Sequence, residues 1–191
     1  METKLNKAFY TIKELNELGY SYYKIQKLLD DNILQRISHT YYENLDFERT
    51  ILDYNYIPVL IKDGIICSLS ASFYYGYTTY RPIYVDVAVC SSKKISTLPN
   101  YPPIRLHYMN DKRLNTGIIS ITDDVNSFKM FNKERTVCDL LLNRTKVESE
   151  EIKNVLIGYL NDDESDLNKL SRMAKELNCL SLLQTYLEVL L

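Results

Sequence analysis

The chain contains 191 residues, of which 46% are hydrophobic and 25% are charged. This composition is typical of one mid-sized folded domain, or of a small domain joined to a larger one, and it excludes a disordered or low-complexity chain. The formal net charge of −2 excludes a protein that is basic over its whole surface. Any binding of nucleic acid therefore requires a local concentration of positive charge.

Residues 1–19 predict two short helices. The segment ETKLNKAF, with Leu5 and Phe9 as its apolar residues, predicts a first helix. Thr11 is a suitable N-cap for the second helix, and Gly19 is suited to the position just after its C-terminus. The inner face of this second helix is expected to carry Ile12, Leu15 and Leu18.

The next segment predicts a third helix and a β-hairpin. Ser21 is suited to begin the helix and Asn32 to end it, while Ile25, Leu28 and Leu29 recur at helical spacing. The residues ILQRISHTYYE predict two strands joined by the turn SHT. Two helices joined by a tight turn with glycine, followed at once by a hairpin, are typical of a winged helix-turn-helix. We assign this domain to residues 1–46.

Residues 47–191 predict a second domain. The predicted strands are YIPVLI, GIICSL, IYVDVAVC, IRLHYM, GIISIT and FKMF, and Asp63-Gly64 predicts a hairpin turn between the first two. SASFYYGY predicts a short helix that begins at Ser70. From Asn132 onwards the apolar spacing predicts four helices, of which the last is apolar on almost every side. The predicted fold class is therefore α+β: an N-terminal winged helix-turn-helix, then a mixed domain with strands first and a C-terminal group of helices.

The helix that begins at Ser21 has a polar and aromatic face opposite its apolar one. At about 100° per residue, Tyr23 and Lys27 point away from the core, and Tyr22 lies nearer to it. Gln26, Lys24 and Asp30 flank them, with Asp30 and Asp31 at the far end of the helix. In a helix-turn-helix the N-terminal part of this helix enters the major groove of DNA. There a lysine suits a phosphate or guanine, a glutamine suits adenine, and a tyrosine ring suits the thymine methyl group. With the wing included, the predicted DNA-binding residues are Ser21, Tyr22, Tyr23, Lys24, Gln26, Lys27, Arg36, His39 and Thr40.

The charge of this domain leaves an alternative open. Residues 1–42 contain six basic and five acidic side chains, which gives a net charge of only +1. A winged helix that serves only for packing or for protein contacts is therefore the second interpretation, in which the chain is a protein–protein interaction module that does not bind DNA.

Three segments, in this order, resemble the AbiEi antitoxins of type IV toxin–antitoxin (abortive infection) systems, which act in phage defence. They are TIKELNELGYSYYKIQKLLDDNILQRISHTYYE, SLSASFYYGYT, and KERTVCDLLLNR followed by LNKLSRMAKELNCLSLLQTYLEVLL. The resemblance implies that the winged helix binds inverted repeats in its own promoter and represses transcription. It also implies that residues 47–191 form an antitoxin domain that neutralises a nucleotidyltransferase-like toxin without a stable complex. We expect a monomer or weak dimer that binds DNA cooperatively.

One residue departs from the pattern of that family. Wings of the family often carry a glycine before the tyrosine, whereas this chain has Thr40 in that place. A glycine would permit a positive φ in a tight turn. The shape of the wing, and its contact with DNA, are therefore open at this point.

The antitoxin domain contains one group of basic residues that invites a functional interpretation. Two explanations apply to this group. In the first, the residues form a basic patch for an acidic or nucleic-acid partner. In the second, which is the simpler explanation, they belong to an ordinary helix that is capped by Asn132 and packs through its apolar side. The residues are Lys133, Arg135, Arg144 and Lys146.

Sequence motifs of catalysis are lacking. The chain has no nucleophile-elbow motif and no phosphate-binding loop, and its two histidines are far apart. We expect no enzyme activity, no catalytic residue, no metal site and no cofactor. A metal-dependent nuclease is a distant third interpretation, because four aspartates fall near predicted strand ends. These are Asp86, Asp111, Asp123 and Asp124.

The cysteine pattern and the lack of long apolar runs give the expected compartment. Four cysteines (Cys67, Cys90, Cys138 and Cys179) are widely spaced and form no metal-ligand motif. No N-terminal apolar segment resembles a signal peptide, and no run approaches the ~18 apolar residues of a membrane span. We expect a cytoplasmic protein with reduced, mostly buried thiols, and a structural disulfide is the less favoured alternative.

Overall fold

The computed structural model describes residues 4–190, which form two compact units. The first unit comprises the described residues up to Lys62 together with Thr122–Ser127. The second comprises Asp63–Ile121 and the described residues from Phe128 onwards. The first unit is thus longer than the predicted domain of residues 1–46, and a functional boundary after residue 46 stays a prediction.

The first unit has the strand and helix order of a winged helix-turn-helix. Its three strands form an antiparallel sheet in the order β1-β3-β2, in which Phe9 pairs with Glu43 and Arg36 pairs with Tyr42. A 3₁₀ helix and a short α-helix follow this sheet. The elements are β1 Phe9–Thr11, α1 Ile12–Glu17, α2 Tyr22–Asp30, β2 Leu34–Arg36, β3 Tyr41–Asn44, the 3₁₀ helix Asp53–Tyr56 and α3 Ile57–Leu60.

Local sequence explains where α1 and α2 begin and end. The Thr11 hydroxyl accepts a hydrogen bond from the Glu14 backbone N–H at 3.2 Å, and the Glu14 carboxylate accepts one from the Thr11 backbone N–H at 2.8 Å. This reciprocal capping box fixes the start of α1. Gly19 and Asn32 follow the two helices with φ values of +87° and +56°, a left-handed conformation that ends a helix. The predicted helix-turn-helix is therefore present.

The core of the first unit accounts for two corrections. Tyr10, Leu15 and Ile25 are buried at its centre. The predicted first helix is wrong over its described residues. Residues 4–6 have no regular structure, and Phe9 begins β1, where it is buried beside Tyr56. Aromatic side chains suit a half-buried strand, and here tertiary packing outweighs the helical spacing of Leu5 and Phe9. Ile12, predicted on the inner face of α1, is exposed.

The segment YIPVLI is helical, so the strand predicted there is wrong. It lies in the 3₁₀ helix and α3, and Pro58 occupies the first turn of α3, where its missing N–H costs no hydrogen bond. Asp63 has a φ of +60°, but the turn that it forms leads from α3 to a strand and does not join two strands of a hairpin. A run of apolar residues of this length does not by itself distinguish a strand from a buried helix.

The second unit contains a five-stranded mixed sheet in the order β6-β5-β4-β8-β7. Strand β4 runs antiparallel to β5 and parallel to β8, and β5 runs parallel to β6. Four of the predicted strands are confirmed, whereas GIICSL contributes only two strand residues. The strands are β4 Ile65–Ile66, β5 Val85–Cys90, β6 Ile104–Met109, β7 Ile118–Thr122 and β8 Ser127–Phe131.

The C-terminal part of the second unit is helical, as predicted. Asn132 caps α6 by accepting a hydrogen bond from the Arg135 N–H at 2.8 Å. Helix α4 begins at Ser68, not at Ser70, and Ser70 is buried within it. The last helix buries Leu183 but exposes Val189, so it is buried on one side only. The helices are α4 Ser68–Tyr74, α5 Asp111–Leu114, α6 Lys133–Leu142, α7 Ser149–Leu160, α8 Leu167–Glu176 and α9 Leu180–Leu190.

Candidate nucleic-acid interface

The N-terminus of α2 presents two large aromatic side chains to solvent. Tyr22 is 72% exposed and Tyr23 is 79% exposed, and both lie in the first turn of the helix. The expectation that Tyr22 lies near the core is therefore wrong. Ser21 is the N-cap, but its side chain makes no hydrogen bond to the first turn. Ser21 is exposed, and it lies at the positive end of the helix dipole of α2.

The opposite face of α2 anchors the helix. Ile25 is fully buried, and Leu28 and Leu29 are half-buried against the same core. Gln26 is half-buried beside this apolar face, whereas Lys27 is exposed. The predicted division of α2 into a core face and an outer face is thus confirmed, and the rigid core face fixes the direction of the outer one.

The wing is a short turn between β2 and β3 that Ser38 closes. The Ser38 hydroxyl accepts hydrogen bonds from the backbone N–H groups of Thr40 at 3.3 Å and Tyr41 at 3.0 Å. The Arg36 guanidinium donates to the backbone carbonyls of Ser38 at 3.1 Å and His39 at 3.4 Å. Arg36 therefore holds the turn while its charge stays at the surface.

These bonds explain how the wing forms without glycine. Thr40 is not among the described non-glycine residues with a positive φ, so its position does not need the conformational freedom of glycine. A serine hydroxyl that bonds to the backbone two and three residues on is a known turn device. The signal in the sequence for this turn is Ser38, two residues before Thr40.

The charge around α2 and the wing is more positive than the total for the domain suggests. Residues 20–29 and 33–42 contain no aspartate or glutamate, and the exposed Asp30 and Asp31 lie at the C-terminal end of α2, away from its N-terminus. The acids of α1 are paired with lysines: Glu14 lies 2.9 Å from Lys7, and Glu17 lies 3.8 Å from Lys13. The hydrogen bond to Glu14 raises the pKa of Lys7, which is the behaviour of an ion pair. Lys24, Lys27 and Arg36 thus define a locally basic surface.

The predicted basic group of the second unit does not form one surface. Arg135 is fully buried; its guanidinium lies 4.3 Å from the Phe131 ring centroid and 3.6 Å from the Asp139 carboxylate. Lys133 is paired with two carboxylates, Asp162 at 2.8 Å and Glu164 at 2.6 Å. Only the other two members, Arg144 and Lys146, are exposed and without such pairing among the ion pairs described. The patch explanation is therefore wrong for Arg135, because a surface contact needs an exposed side chain.

The four aspartates considered for a nuclease have structural roles or lie apart. Asp86 is buried, and its carboxylate lies 2.8 Å from the His107 ring. Asp123 accepts hydrogen bonds from Asn55 and from two backbone N–H groups in a turn. Burial opposes the ionisation of Asp123, but these bonds outweigh it and lower the pKa of the carboxyl group. Within residues 4–190, no cluster of three or more histidine, cysteine or acidic side chains could hold a metal ion.

The contact between Asp86 and His107 was not expected from the sequence. The two residues lie on β5 and β6, whose parallel register places Asp86 opposite Arg105. The Arg105 guanidinium is 3.9 Å from the Asp86 carboxylate and 4.8 Å from the Tyr84 ring centroid. A register between strands fourteen or more residues apart has no local signal, so only the folded chain reveals this group.

Comparison with known proteins shows the fold alone. No protein-family description matches the sequence, and no curated protein matches it. Among solved structures, the chain is similar to the crystal structure of the RV2827C protein from Mycobacterium tuberculosis, with a TM-score of 0.50 and 12% sequence identity. The similarity covers 95% of this chain and 76% of the mycobacterial one. In the part of the chain that the structure describes, every helix is too short or too polar to cross a membrane.

Proposed function

We propose that this protein is a DNA-binding transcriptional regulator of the cytoplasm: the autorepressor and antitoxin of a type IV toxin–antitoxin system. One observation carries the DNA-binding part. The N-terminal part of the outer face of α2, which consists of Ser21, Tyr22, Tyr23, Lys24 and Lys27, is exposed and contains no acidic residue, and Asp30 lies at the far end of the helix, which the buried Ile25 anchors. A helix with these properties in a winged helix-turn-helix is suited to the major groove.

The chemistry of this face divides its contacts into two classes. The N-terminus of α2 and the side chains of Ser21 and Lys24 suit phosphate oxygens, because exposed N–H groups and positive charge meet there. Tyr23, Gln26 and Lys27 are the residues that we assign to the bases. The wing residues Arg36, His39 and Thr40 hold the neighbouring phosphates or reach the minor groove.

The antitoxin part of the proposal follows from the resemblance to the AbiEi antitoxins. The second unit would neutralise a nucleotidyltransferase-like toxin without forming a stable complex with it, and the winged helix would repress transcription from inverted repeats. The agreement of the fold with the predicted order of a winged helix, strands and helices supports this assignment. No catalytic role is assigned to any residue.

Fluorescence anisotropy tests the DNA-binding part. The full chain is titrated into a labelled duplex from just upstream of its own gene, and into a scrambled duplex of the same composition, at low and at moderate salt. We expect a preference for its own promoter of about a hundredfold or more and a steep loss of affinity as salt rises. Equal affinity for both duplexes at both salt concentrations would overturn the assignment.

A second function is favoured by the exposed aromatic rings. Tyr22 and Tyr23 are also suited to a protein contact, since exposed tyrosines are enriched at protein interfaces. This alternative predicts no binding to the promoter duplex. It also predicts that an alanine at Tyr22 or Tyr23 disrupts a protein complex whose affinity depends little on salt.

A further inference from the structure

Positive charge is concentrated in one continuous stretch of the second unit. Residues 64–121 contain six basic and two acidic side chains, whereas the rest of the chain contains 17 basic and 23 acidic ones. Of the two acids, Asp86 is buried, with its carboxylate 2.8 Å from the His107 ring, and Asp111 accepts a hydrogen bond from the Cys90 thiol at 3.0 Å. A chain with a net charge of −2 therefore carries a local excess of positive charge in this stretch.

Strands β5 and β6 bring these charges to one edge of the five-stranded sheet. The two strands are parallel, with Val85 opposite Ile104, and β6 lies at one end of the sheet. The segments that lead into the two strands therefore lie side by side, and the Val85 N–H donates to the Pro103 carbonyl at 2.8 Å. The segments that follow the strands meet at the opposite end, where the Ser91 N–H donates to the Met109 carbonyl at 2.7 Å.

The leading end of these two strands presents aromatic rings and arginines to solvent. The Arg105 side chain is 53% exposed, and its guanidinium lies 4.8 Å from the Tyr84 ring centroid. Its distance to the Asp86 carboxylate is longer, at 3.9 Å. This contact orients the guanidinium, and the exposed side chain keeps donors of its five-donor group for a partner. The exposed side chains in the two leading segments and at the start of β6 are Tyr80, Arg81, Ile83, Tyr84, Tyr101 and Arg105.

The opposite end of the strands carries exposed lysines. Lys94 follows β5, and Lys112 lies in α5, which follows β6. Between the two ends, β6 exposes Tyr108, and its six residues span about 17 Å. Basic side chains thus lie at both ends of an edge strand that also presents aromatic rings. We call this the β6 edge surface, and it consists of Arg81, Tyr84, Lys94, Arg105, Tyr108 and Lys112.

We propose that the β6 edge surface binds single-stranded RNA. Unpaired bases stack on aromatic rings and on guanidinium planes, and basic side chains along the strand contact the phosphates. Tyr84 and Arg105 supply a ring and a guanidinium at one place. A duplex hides the faces of its bases in the stack, so exposed rings favour a single strand, and the loops and ends of RNA are recognised in this way. The inference concerns the second unit and does not depend on the proposed DNA binding by α2.

Fluorescence anisotropy of the full chain tests the proposal. The probes are a labelled RNA strand of about 15 nucleotides without self-complementarity, the DNA strand of the same sequence, and the duplex of that DNA. We expect the RNA strand to bind most tightly and its affinity to fall as salt rises. Tighter binding of either DNA probe would overturn the choice of RNA. Displacement of the RNA by polyglutamate as effectively as by unlabelled RNA would also overturn it, because the surface would then recognise negative charge alone.

Variants of the surface locate the binding site. The double variant Arg81→Gln, Arg105→Gln should weaken RNA binding about tenfold or more and make its salt dependence shallower, while binding to the promoter duplex stays unchanged. Tyr84→Leu keeps the apolar bulk but removes the ring, and it should cost about five- to a hundredfold in RNA affinity with the salt dependence retained. Arg172→Gln, at an exposed arginine of α8, is the matched control and should bind RNA as the wild type does.

The two nucleic-acid assays have separate outcomes. Circular dichroism establishes that each variant is folded, and the arginine pair decides the question should Tyr84→Leu fail to fold. RNA affinity that is unchanged in the arginine double variant, or reduced equally in Arg172→Gln, would overturn the assignment to the β6 edge surface. Loss of promoter binding with RNA binding intact would instead count against the proposed function of α2 alone.

Discussion

Lys27 and Lys13 are two exposed lysines on neighbouring helices, and their surroundings separate their expected roles. Lys27 lies on the outer face of α2 beside Tyr23, in a stretch without acidic residues. Lys13 lies on α1 and is paired with Glu17 at 3.8 Å. A contact with DNA needs positive charge that the protein does not itself neutralise. Of these two lysines, Lys27 meets this condition, because Lys13 is already paired with a carboxylate.

Lys27→Ala should therefore weaken binding to the promoter duplex. We expect a loss of about three- to tenfold at low salt and a shallower slope of log K against log salt, because one positive charge leaves the interface. Lys13→Ala is the matched control and should leave both quantities unchanged. Anisotropy titrations at several salt concentrations measure both. Equal effects of the two substitutions would remove Lys27 from the interface.

Asp162 makes the stability of the second unit depend on pH. Its carboxylate lies 2.8 Å from the Lys133 ammonium and accepts a hydrogen bond from the Tyr77 hydroxyl at 2.6 Å. The Lys133 contact, followed by that of Tyr77, lowers the pKa of Asp162 from 3.8 to about 2. Because the folded pKa is depressed, the contribution of Asp162 is present above pH 3.8 and is lost as the pH falls towards 2.

We expect urea denaturation to show a decrease in the free energy of unfolding over this range of pH. The decrease should be smaller in Asp162→Asn, which cannot change its charge. Asp163→Asn, at the exposed neighbouring position, is the control and should retain the pH dependence of the wild type. An unchanged dependence in Asp162→Asn would show that other carboxyl groups cause it.

At the scale of the element, the packing of α7 requires Gly158, although glycine is a poor helix former. A Cβ atom at Gly158 would lie 2.6 Å from the Tyr77 Cα and 2.8 Å from the Tyr77 carbonyl oxygen. These are backbone atoms, which cannot move aside as the end of a flexible side chain can. Gly158 therefore permits a close approach of α7 to the chain at Tyr77, at the cost of its poor helix propensity.

Gly158→Ala should destabilise the protein although alanine is the better helix former. We expect the free energy of unfolding to fall by about 1–3 kcal/mol, because overpacking outweighs a gain in propensity of about 1 kcal/mol. Asn154→Ala, at an exposed position of the same helix, should be neutral or slightly stabilising. Thermal and urea denaturation measure both variants; a stabilising effect of Gly158→Ala would contradict the close approach.

The elements also show which sequence signals were reliable. Strands β5 to β7 and helices α6 to α9 were predicted from longer runs and are present, and the short segment FKMF forms β8 as predicted. YIPVLI, and the described part of ETKLNKAF, were predicted wrongly, because short segments with a few apolar residues are compatible with either strand or helix. Tertiary packing decided between the two conformations, as the burial of Phe9 against Tyr56 illustrates.

At the scale of the whole molecule, the first unit is completed by residues far along the chain. Asn55 is fully buried, and its amide donates hydrogen bonds to the side chains of Asp123 at 2.8 Å and Asn126 at 3.1 Å. Asn126 in turn donates to the Asn55 carbonyl at 2.8 Å. Thr122–Ser127 therefore belongs to the first unit although the chain on both sides of it belongs to the second.

Asn55→Ala should lower the free energy of unfolding by about 1–3 kcal/mol. The substitution removes the hydrogen bonds of a fully buried amide to Leu52, Asp123 and Asn126, and each lost hydrogen bond costs roughly 1 kcal/mol. Asn100→Ala changes an exposed asparagine and should have no measurable effect. Urea denaturation compares the two, and similar values for both would mean that water replaces the Asn55 contacts without cost.

The proposed DNA-binding surface was predictable to different degrees. The division of α2 into two faces followed from its helical spacing, and the exposure of Tyr23, Lys24 and Lys27 agrees with it. The exposure of Tyr22 did not follow, because a position at the edge of the apolar face is decided by what packs against it. Closure of the wing by Ser38 and Arg36 also required the folded turn.

The sequence by itself determined the α+β class, the capped helices α1 and α6, the two faces of α2 and the order of the later strands. These features depend on contacts between residues a few positions apart, for which spacing and capping chemistry are sufficient. Only the tertiary structure decided the burial of Arg135, the packing of Cys138 and Cys179 in one hydrophobic cluster, and the entry of Thr122–Ser127 into the first unit. Each of these joins residues that are remote in sequence or depends on what surrounds a side chain, so no local pattern specifies it.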